Sequence, residues 1–236
     1  MKDSFFDVYR KYKYTRHEKK SFSQCGEDLI IDYIFYQLGI GKPRYIDIGA
    51  YHPFILSNTY LFYLKGARGV NIEPDPSGIS LLNKYRSRDI NLNVGVGQSE
   101  FEETAQFFLM TSRRLNTLVE EEARRIEETS RYRIKKMELI KLLPINQIFE
   151  NYFHAAPDFI SVDVEGFDLE IIKSINYRKY RPKVICVETV IFKENMPTEK
   201  NEAIIQFLTD QNYFVYADTF VNTIFVDRKV WNKSYN

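Results

Sequence analysis

The feature that most constrains this chain is a short apolar segment, Tyr45–Ile48, that runs directly into the small residues Gly49 and Ala50. Such a run favours a strand, and the small residues after it favour a tight turn that a ligand can approach closely. A second segment, Gly69–Glu73, repeats the arrangement and leads into the turn sequence at 74–76. The pair predicts neighbouring parallel strands with a ligand site beyond their carboxyl ends.

The two segments also indicate which ligand fits the turn. Each carries one carboxylate, Asp47 and Glu73, and an acid at the tip of the second strand can accept hydrogen bonds from both hydroxyls of a ribose. The turn lacks the Gly-x-Gly-x-x-Gly spacing of a dinucleotide site, and no phosphate-binding Gly-x-x-x-x-Gly-Lys-Ser/Thr sequence occurs. A ligand with ribose but no phosphate, such as S-adenosylmethionine, therefore fits better than NAD or ATP. An α/β protein whose strands happen to end in acids is the alternative.

Two further segments flank this pair. The segment Asn91–Val96 reads as a third strand, which places Asn93 and Val94 either against a base or at an ordinary strand end. Ahead of the first strand, a helix is predicted over Leu29–Leu38. The polar residues that precede it either cap this helix or lie over the nucleoside pocket, and they are Gln24, Glu27 and Asp28.

The second half of the chain supplies three more carboxylates. A buried strand from Pro157 ends in Asp163 and Glu165, and the next apolar strand ends in Glu188. The carboxyl ends of parallel strands form the edge where an open α/β sheet builds its site. Structural acids do not usually collect there, so the pattern predicts a functional cluster.

Composition excludes several classes of protein. The 236 residues include 44% apolar residues, enough for one large α/β domain with an insertion. The net charge of +1 argues against nucleic acid as the default partner. The two cysteines, Cys25 and Cys186, form no metal-spaced motif, and no apolar run is long enough to cross a bilayer. We therefore expect a soluble, cytoplasmic protein with reduced thiols.

Residues 1–21 form a basic and aromatic arm, and residues 22–236 are expected to form one domain with a charged helical insertion around 112–132. The arm packs either on the domain or a second subunit, or it contacts a membrane surface. A charged helix is predicted over Leu115–Tyr132, either as a solvated surface helix or as a lid over the substrate.

The chain resembles the FkbM-type branch of the class I S-adenosylmethionine-dependent methyltransferases. The resemblance covers about 22–190 and rests on the order and spacing of short motifs. Those motifs are Ser23–Leu29, Tyr45–Ala50, Ser57–Thr59, Asn71–Pro76, Asn93–Val96, Asp158–Glu170 and Tyr180–Glu188. Phe167 stands where a histidine is expected in the Asp-Val-Glu-Gly-His form of one motif, which argues against an imidazole-based step at that position.

The resemblance implies a Rossmann-like α/β fold: a mostly parallel sheet with helices on both faces and a C-terminal antiparallel hairpin over 213–218 and 222–227. It implies O-methylation of a hydroxyl, most often on a sugar of a surface polysaccharide, glycolipid or natural product. Asp163 is then the first choice for the base, with Glu165 and Glu188 as orienting partners and His52 and His154 as alternative bases. Mg²⁺ stays an open possibility, with Asp163 and Glu188 as its ligands.

The resemblance also assigns the cofactor contacts. Asp47 and Gly49 contact the methionine portion, Glu73 the ribose, and Asn93 with Val94 the adenine side. Further cofactor contacts are expected from Gln24, Ala50, Tyr51, Pro74 and Asp163. A methyltransferase acting on a phenol or a protein side chain and a non-catalytic nucleoside-binding module are the two rival interpretations.

Overall fold

The structure is a computed structural model that describes residues 18–191 and 199–234. The predicted arm therefore lies outside the described residues except for its last four positions. None of the described helices is long and apolar enough to span a bilayer.

The strands, in chain order, are β1 (Tyr45–Ile48), β2 (Gly69–Ile72), β3 (Ile90–Leu92), β4 (Gly95–Gly97), β5 (Glu103–Met110), β6 (Ile134–Pro144), β7 (Phe159–Val162), β8 (Val184–Glu188), β9 (Val190–Ile191), β10 (Glu199–Lys200), β11 (Tyr213–Asp218) and β12 (Asn222–Asp227). The helices are α1 (Glu27–Gln37), α2 (Tyr60–Leu64), α3 (Pro76–Tyr85), α4 (Glu120–Thr129), α5 (Ile145–Phe153), α6 (Asp168–Ser174), α7 (Glu202–Asp210) and α8 (Arg228–Lys233). A short 3₁₀ turn covers Arg113–Leu115.

Seven of the described strands form the central sheet, in the order β11-β12-β8-β7-β1-β2-β3. Strands β1, β2, β3, β7 and β8 pair in parallel, and β12 runs antiparallel to both of its neighbours. This is the predicted Rossmann-like sheet with its C-terminal antiparallel hairpin. The chain order reverses at β1, which lies between β2 and β7, so the crevice for a ligand opens beyond the carboxyl end of β1.

The central strands are buried because helices cover both faces of the sheet. Every residue of β1, β2 and β7 is buried, as expected of a parallel sheet covered on both sides. One core contains α1 residues such as Ile31 and Phe35, and the other contains α5 residues such as Ile148 and Phe149. Both faces are thus fixed by packing, and ligand access is left to the strand ends.

A second, three-stranded sheet in the order β4-β6-β5 stands beside the first. The single strand predicted over Asn91–Val96 is wrong, because the chain leaves the central sheet after β3 and pairs β4 with β6. The helix predicted over Leu115–Tyr132 is also too long. Thr117 forms an antiparallel bridge with Phe108, so α4 begins only at Glu120.

Beneath the crevice lies a buried arginine, Arg86, which is fully excluded from solvent. Its guanidinium donates to Asp89 at 2.8 Å, to the Tyr45 hydroxyl at 2.9 Å and to Thr59 at 3.1 Å. Thr59 donates in turn to the carboxylate of Asp47 at 2.6 Å. A hydrogen-bonded ion pair therefore ties β1, α2 and α3 together below the strand ends.

Candidate active site

A cavity of about 240 Å³ opens at the carboxyl ends of β1, β2, β7 and β8. The segment between β5 and α4 forms the opposite wall. The polar and small residues that line it are Gln24, Gly49, Tyr51, Glu73, Arg113, Arg114, Asn116, Thr117, Asp163, Glu165 and Glu188, and the apolar ones include Ile48, Ile72, Pro74, Val96, Leu115 and Leu118. The two strand pairs that sequence patterns indicated thus face one cavity.

The end of the cavity where we expect the cofactor is built around Gly49. Its φ of +82° lies in the left-handed region that glycine adopts without strain, and its N–H donates to Ile72 O at 3.0 Å. A Cβ built on Gly49 would stand 1.8 Å from the carbonyl oxygen of Asp163. Both the turn and the close approach of β1 to β7 therefore require glycine here.

Glu73 follows β2 and holds the turn from the other side. Its two carboxylate oxygens accept the main-chain N–H groups of Tyr51, at 2.7 Å, and of Asp75, at 2.8 Å. Burial raises the pKa of Glu73 to about 7, although those N–H donors act in the opposite direction. Glu73 lines the cavity and each of its oxygens keeps a further lone pair, so this carboxylate suits the hydroxyls of a ribose.

Arg113, which sequence reasoning missed, reaches this turn from the segment after β5. It donates to the Asp75 carboxylate at 2.5 Å and to the carbonyl of Tyr51 at 3.2 Å, and its guanidinium lies 5.3 Å from the centre of the Tyr51 ring. Burial raises the pKa of Asp75, but the bonds from Arg113 and Ser77 hold it below its usual range. No local pattern around Arg113 indicated this role, because the contacts are long-range.

At the end of the cavity where we expect catalysis, three residues stand in a row on neighbouring strands. Val162 of β7 pairs with Ile48 of β1 on one side and with Val187 of β8 on the other. The next residue of each strand therefore stands in the same row, and these residues are Gly49, Asp163 and Glu188. Glu188 is in turn the register partner of Asn222 on β12. Gly49, Asp163 and Glu188 all line the same cavity.

Burial and mutual repulsion disfavour ionisation of these acids. Burial, with Asp168 as the next contributor, raises the pKa of Asp163 to about 7. Burial and the neighbouring Asp163 raise the pKa of Glu165 and that of Glu188 well above the usual range. Glu165 adopts a left-handed φ of +53°, and its carbonyl accepts the Thr117 hydroxyl at 2.9 Å. Hydrogen bonds from Arg113 and Thr117 thus hold the segment after β5 at both ends of the cavity.

Several predicted cofactor residues lie outside the cavity lining. Asp47 is buried below the turn in the Arg86 network, and Ala50 packs against Ile79 and Leu82 of α3. Asn93 donates to the carbonyls of Glu73 and Pro74, at 2.9 and 2.8 Å. Val94 packs against one of the central cores. These residues shape the turn and its surroundings.

The two candidate histidines lie away from the carboxylates. The Nδ1 atom of His52 accepts the main-chain N–H of Ile55 at 3.2 Å, and burial followed by the nearby Arg113 lowers the His52 pKa. His154 ends α5 before β7 begins, at the opposite edge of the sheet from the cavity. Neither histidine lines the cavity.

The helix predicted over Leu29–Leu38 begins two residues earlier, so Glu27 and Asp28 lie in the first turn of α1 and only Gln24 precedes it. Gln24 lines the cavity. Asp28 accepts the hydroxyl of Ser21 at 2.6 Å and the N–H of Phe22 at 2.7 Å, so it holds the entry to the helix. Glu27 accepts from Thr219 at 2.6 Å and from the Asn222 amide at 3.0 Å. Glu27 therefore joins α1 to the first residue of β12.

Within 18–191 and 199–234, no three His, Cys, Asp or Glu side chains are arranged to hold a metal ion. The residues that line the cavity suit an organic ligand: a buried acid after β2, a glycine turn and apolar walls. Together with the strand order, they define a class I S-adenosylmethionine-dependent methyltransferase.

Comparison with known proteins gives the family. The family model described as the methyltransferase FkbM domain matches residues 47–215. This chain belongs to the FkbM methyltransferase family. None of the curated protein sequences compared with the chain matches it.

Three solved structures that match the chain are distant from it in sequence. The O-methyltransferase from Bacillus cereus in complex with SAH has 12% identity and a TM-score of 0.43, covering 96% of this chain and 92% of that chain. TehB from Haemophilus influenzae has 9% identity and a TM-score of 0.47, covering 93% and 67%. The Burkholderia thailandensis 1,6-didemethyltoxoflavin-N1-methyltransferase, with bound 1,6-didemethyltoxoflavin and S-adenosylhomocysteine, has 10% identity and a TM-score of 0.43, covering 94% and 86%.

Proposed function

We propose that this methyltransferase transfers its methyl group to a hydroxyl of a sugar, as in surface polysaccharide, glycolipid or natural-product synthesis. The observation that carries the proposal is the row Gly49–Asp163–Glu188, which puts a carboxylate next to the cofactor turn inside one cavity. A sugar hydroxyl must lose its proton as its oxygen takes the methyl group, and a carboxylate can accept that proton.

S-adenosylmethionine, when bound, supplies a methyl group already activated on a sulfonium. In this proposal Glu73 accepts the ribose hydroxyls, while Gly49 and Tyr51 form the turn that the methionine portion follows. Arg113 and the main-chain N–H groups keep Glu73 and Tyr51 in place. Alignment of the acceptor oxygen with the methyl group is then the main contribution of the cavity.

Asp163 is the proposed base. Its pKa of about 7 leaves it able to take a proton from the hydroxyl near neutral pH, which the more strongly raised pKa of Glu188 does not. Glu165 and Glu188 orient the acceptor through its other polar groups. The products are the methyl ether, S-adenosylhomocysteine and the proton that Asp163 releases to water.

The test is methyl transfer from S-adenosylmethionine to a panel of glycosides, nucleotide sugars and phenols, followed as S-adenosylhomocysteine formation. We expect turnover on sugars, with the methyl group on oxygen. Asp163→Asn should lower kcat by about 10²–10⁴-fold, the contribution of a positioned base, while S-adenosylhomocysteine still binds. The exposed Asp210→Asn is the control and should leave kcat unchanged. Turnover on phenols alone, or none on any acceptor with cofactor bound, would refute the proposal.

A further inference from the structure

The catalytic end of the cavity carries more acceptor groups than donors. Within the described residues, no hydrogen bond or ion pair is made by the carboxyl group of Asp163, of Glu165 or of Glu188. Arg125 lies near enough to affect Glu165, but it is paired with Glu122 at 2.5 Å. A half-buried carboxylate without a partner is costly, so a ligand that supplies donors would stabilise this row.

A separate observation at the same row also indicates a missing donor. Asn222 is 3% exposed, and its Oδ1 is the buried side-chain atom that lacks a hydrogen-bond partner among the described residues. Its amide nitrogen is held by Glu27 at 3.0 Å, which fixes the side chain. As register partners, Asn222 and Glu188 project from the same face of the sheet, where Cβ atoms of opposed residues lie about 4.5–5.5 Å apart.

The missing donor must satisfy several acceptors, and a positive charge on it would favour the ionised form of acids whose ionisation burial opposes. A neutral hydroxyl offers one O–H and no charge, whereas a protonated amine offers three N–H donors and one positive charge. A metal ion would need converging ligands, and no three acidic, histidine or cysteine side chains of the described chain converge in that way. A compact organic cation fits the arrangement better than either.

We infer that the acceptor sugar carries a protonated amine, which binds between Glu188 and Asn222 while the hydroxyl to be methylated lies against Asp163. The inference rests on the proposed function and narrows it to amino sugars. The amine remains protonated and is not itself the methyl acceptor. Its positive charge favours the ionised form of Glu188, and its N–H groups supply the donors that Asn222 Oδ1 and the carboxylates lack.

The test is calorimetric binding of three matched probes to the full chain saturated with S-adenosylhomocysteine. The probes are methyl 2-amino-2-deoxyglucoside, its N-acetyl counterpart and methyl glucoside. We expect the amine to bind at least about tenfold more tightly than either neutral probe, a difference of about 1.4 kcal/mol. Glu188→Gln should reduce that preference to about twofold or less, whereas the exposed control Glu128→Gln should keep it.

Three outcomes would overturn the inference: no binding of the amine probe, equal binding of the neutral probes, or a preference that survives Glu188→Gln. A fourth outcome would show that these acids bind the ammonium group of the cofactor itself. In that case Glu188→Gln would weaken S-adenosylhomocysteine but not 5′-methylthioadenosine, which lacks the amino-acid portion. Binding of the neutral glucoside that appears only with added Mg²⁺ would instead show a metal site.

The same probes keep this inference distinct from the proposed function. If the amine probe binds selectively but no O-methyl product forms from S-adenosylmethionine, the proposed function fails and the binding site stands. If neutral sugars are O-methylated as fast as the amine, at equal affinity, the function stands and the inference fails. NMR of the product identifies the methylated atom, and an N-methyl product would refute the assignment of the amine as a binding group.

Discussion

Gly49 and Asp163 lie so close together that the main-chain oxygen of one leaves no room for a side chain on the other. A Cβ on Gly49 would meet Asp163 O at 1.8 Å, far inside any real contact. The glycine turn after β1 and the acid after β7 are therefore packed together as one unit. The cofactor turn cannot change shape without moving the residue that we propose as the base.

Gly49→Ala tests this relationship. The new methyl group must displace Asp163, and φ of +82° is unfavourable for alanine, so we expect S-adenosylhomocysteine affinity to fall by at least about tenfold and the melting temperature to drop. Gly41→Ala is the matched control, since a Cβ at Gly41 has no atom within 4 Å. Calorimetry and thermal unfolding of both variants measure the difference. A Gly49→Ala variant that binds normally would contradict the close packing.

The two acids at opposite ends of the cavity should separate binding from turnover. Glu73→Gln replaces one of the oxygens that accept from Tyr51 and Asp75 by an N–H₂ group, which faces a donor instead of accepting from it. We expect it to weaken S-adenosylhomocysteine binding much more than Asp163→Asn does. Asp163→Asn should chiefly lower kcat. Equal losses of affinity in the two variants would undo this division.

Arg113 should behave as a cofactor-side residue although it comes from the inserted sheet. Arg113→Ala removes the bonds to Asp75 and Tyr51, and we expect S-adenosylhomocysteine to bind about tenfold more weakly, the loss of one charge-assisted contact network. Arg178→Ala, an exposed arginine at the other end of the sheet, is the control. If Arg113→Ala changes kcat and leaves cofactor affinity intact, the residue belongs to the acceptor side.

The buried ion pair of Arg86 should matter for folding. Arg86→Met leaves Asp89 buried without its partner, so we expect the free energy of unfolding to fall by about 3–5 kcal/mol. Arg88→Met is the matched control two positions away. Arg88 is exposed and bonds the carbonyl of Tyr63, and its loss should cost about 0.5 kcal/mol. Chemical unfolding of both variants gives the comparison, and similar losses would contradict a buried network.

Asp163 should make the free protein less stable as pH rises. Burial followed by Asp168 raises its native pKa to about 7, while an unfolded aspartate has a pKa of about 3.9. Between these values the unfolded chain releases the proton that the native state keeps, so the unfolding free energy decreases from about pH 4 to about pH 7 and the loss is complete above. Asp163→Asn should remove this contribution and be more stable than wild type above pH 7. If the unfolding free energies of the two proteins change with pH in the same way, the prediction is wrong.

The sheet could be predicted from sequence because each of its strands has a recognisable local sequence pattern. Tyr45–Ile48 and Phe159–Val162 are short apolar runs followed by a glycine or an acid, and the structure pairs both as parallel neighbours. The acids that follow adjacent strands lie at one edge for the same reason, so Asp163 and Glu188 reach one cavity. The pattern of apolar residues and the residue types at the strand ends therefore predict these positions without knowledge of the fold.

The second sheet and its contribution to the cavity could not be predicted in this way. Gly95–Gly97 continues the apolar pattern of β3, so nothing local shows that it leaves the central sheet to pair with β6. Arg113 lies in a charged stretch whose i, i+4 pattern indicates a helix, yet it lies in a 3₁₀ turn and contacts residues 38 and 62 positions away. Asn222 likewise reads as an ordinary strand residue. Contacts between distant segments decide all three.

The segment from Arg113 to Leu118 has a consequence for how acceptor preference can change. Its first residue holds the cofactor turn through Asp75 and Tyr51, and Thr117 holds the carbonyl of Glu165. A chimaera that imports a different segment from a relative would therefore lose cofactor affinity along with the old acceptor preference. Retargeting this enzyme calls for single substitutions at Leu115 and Leu118, which line the cavity between the two fastened ends.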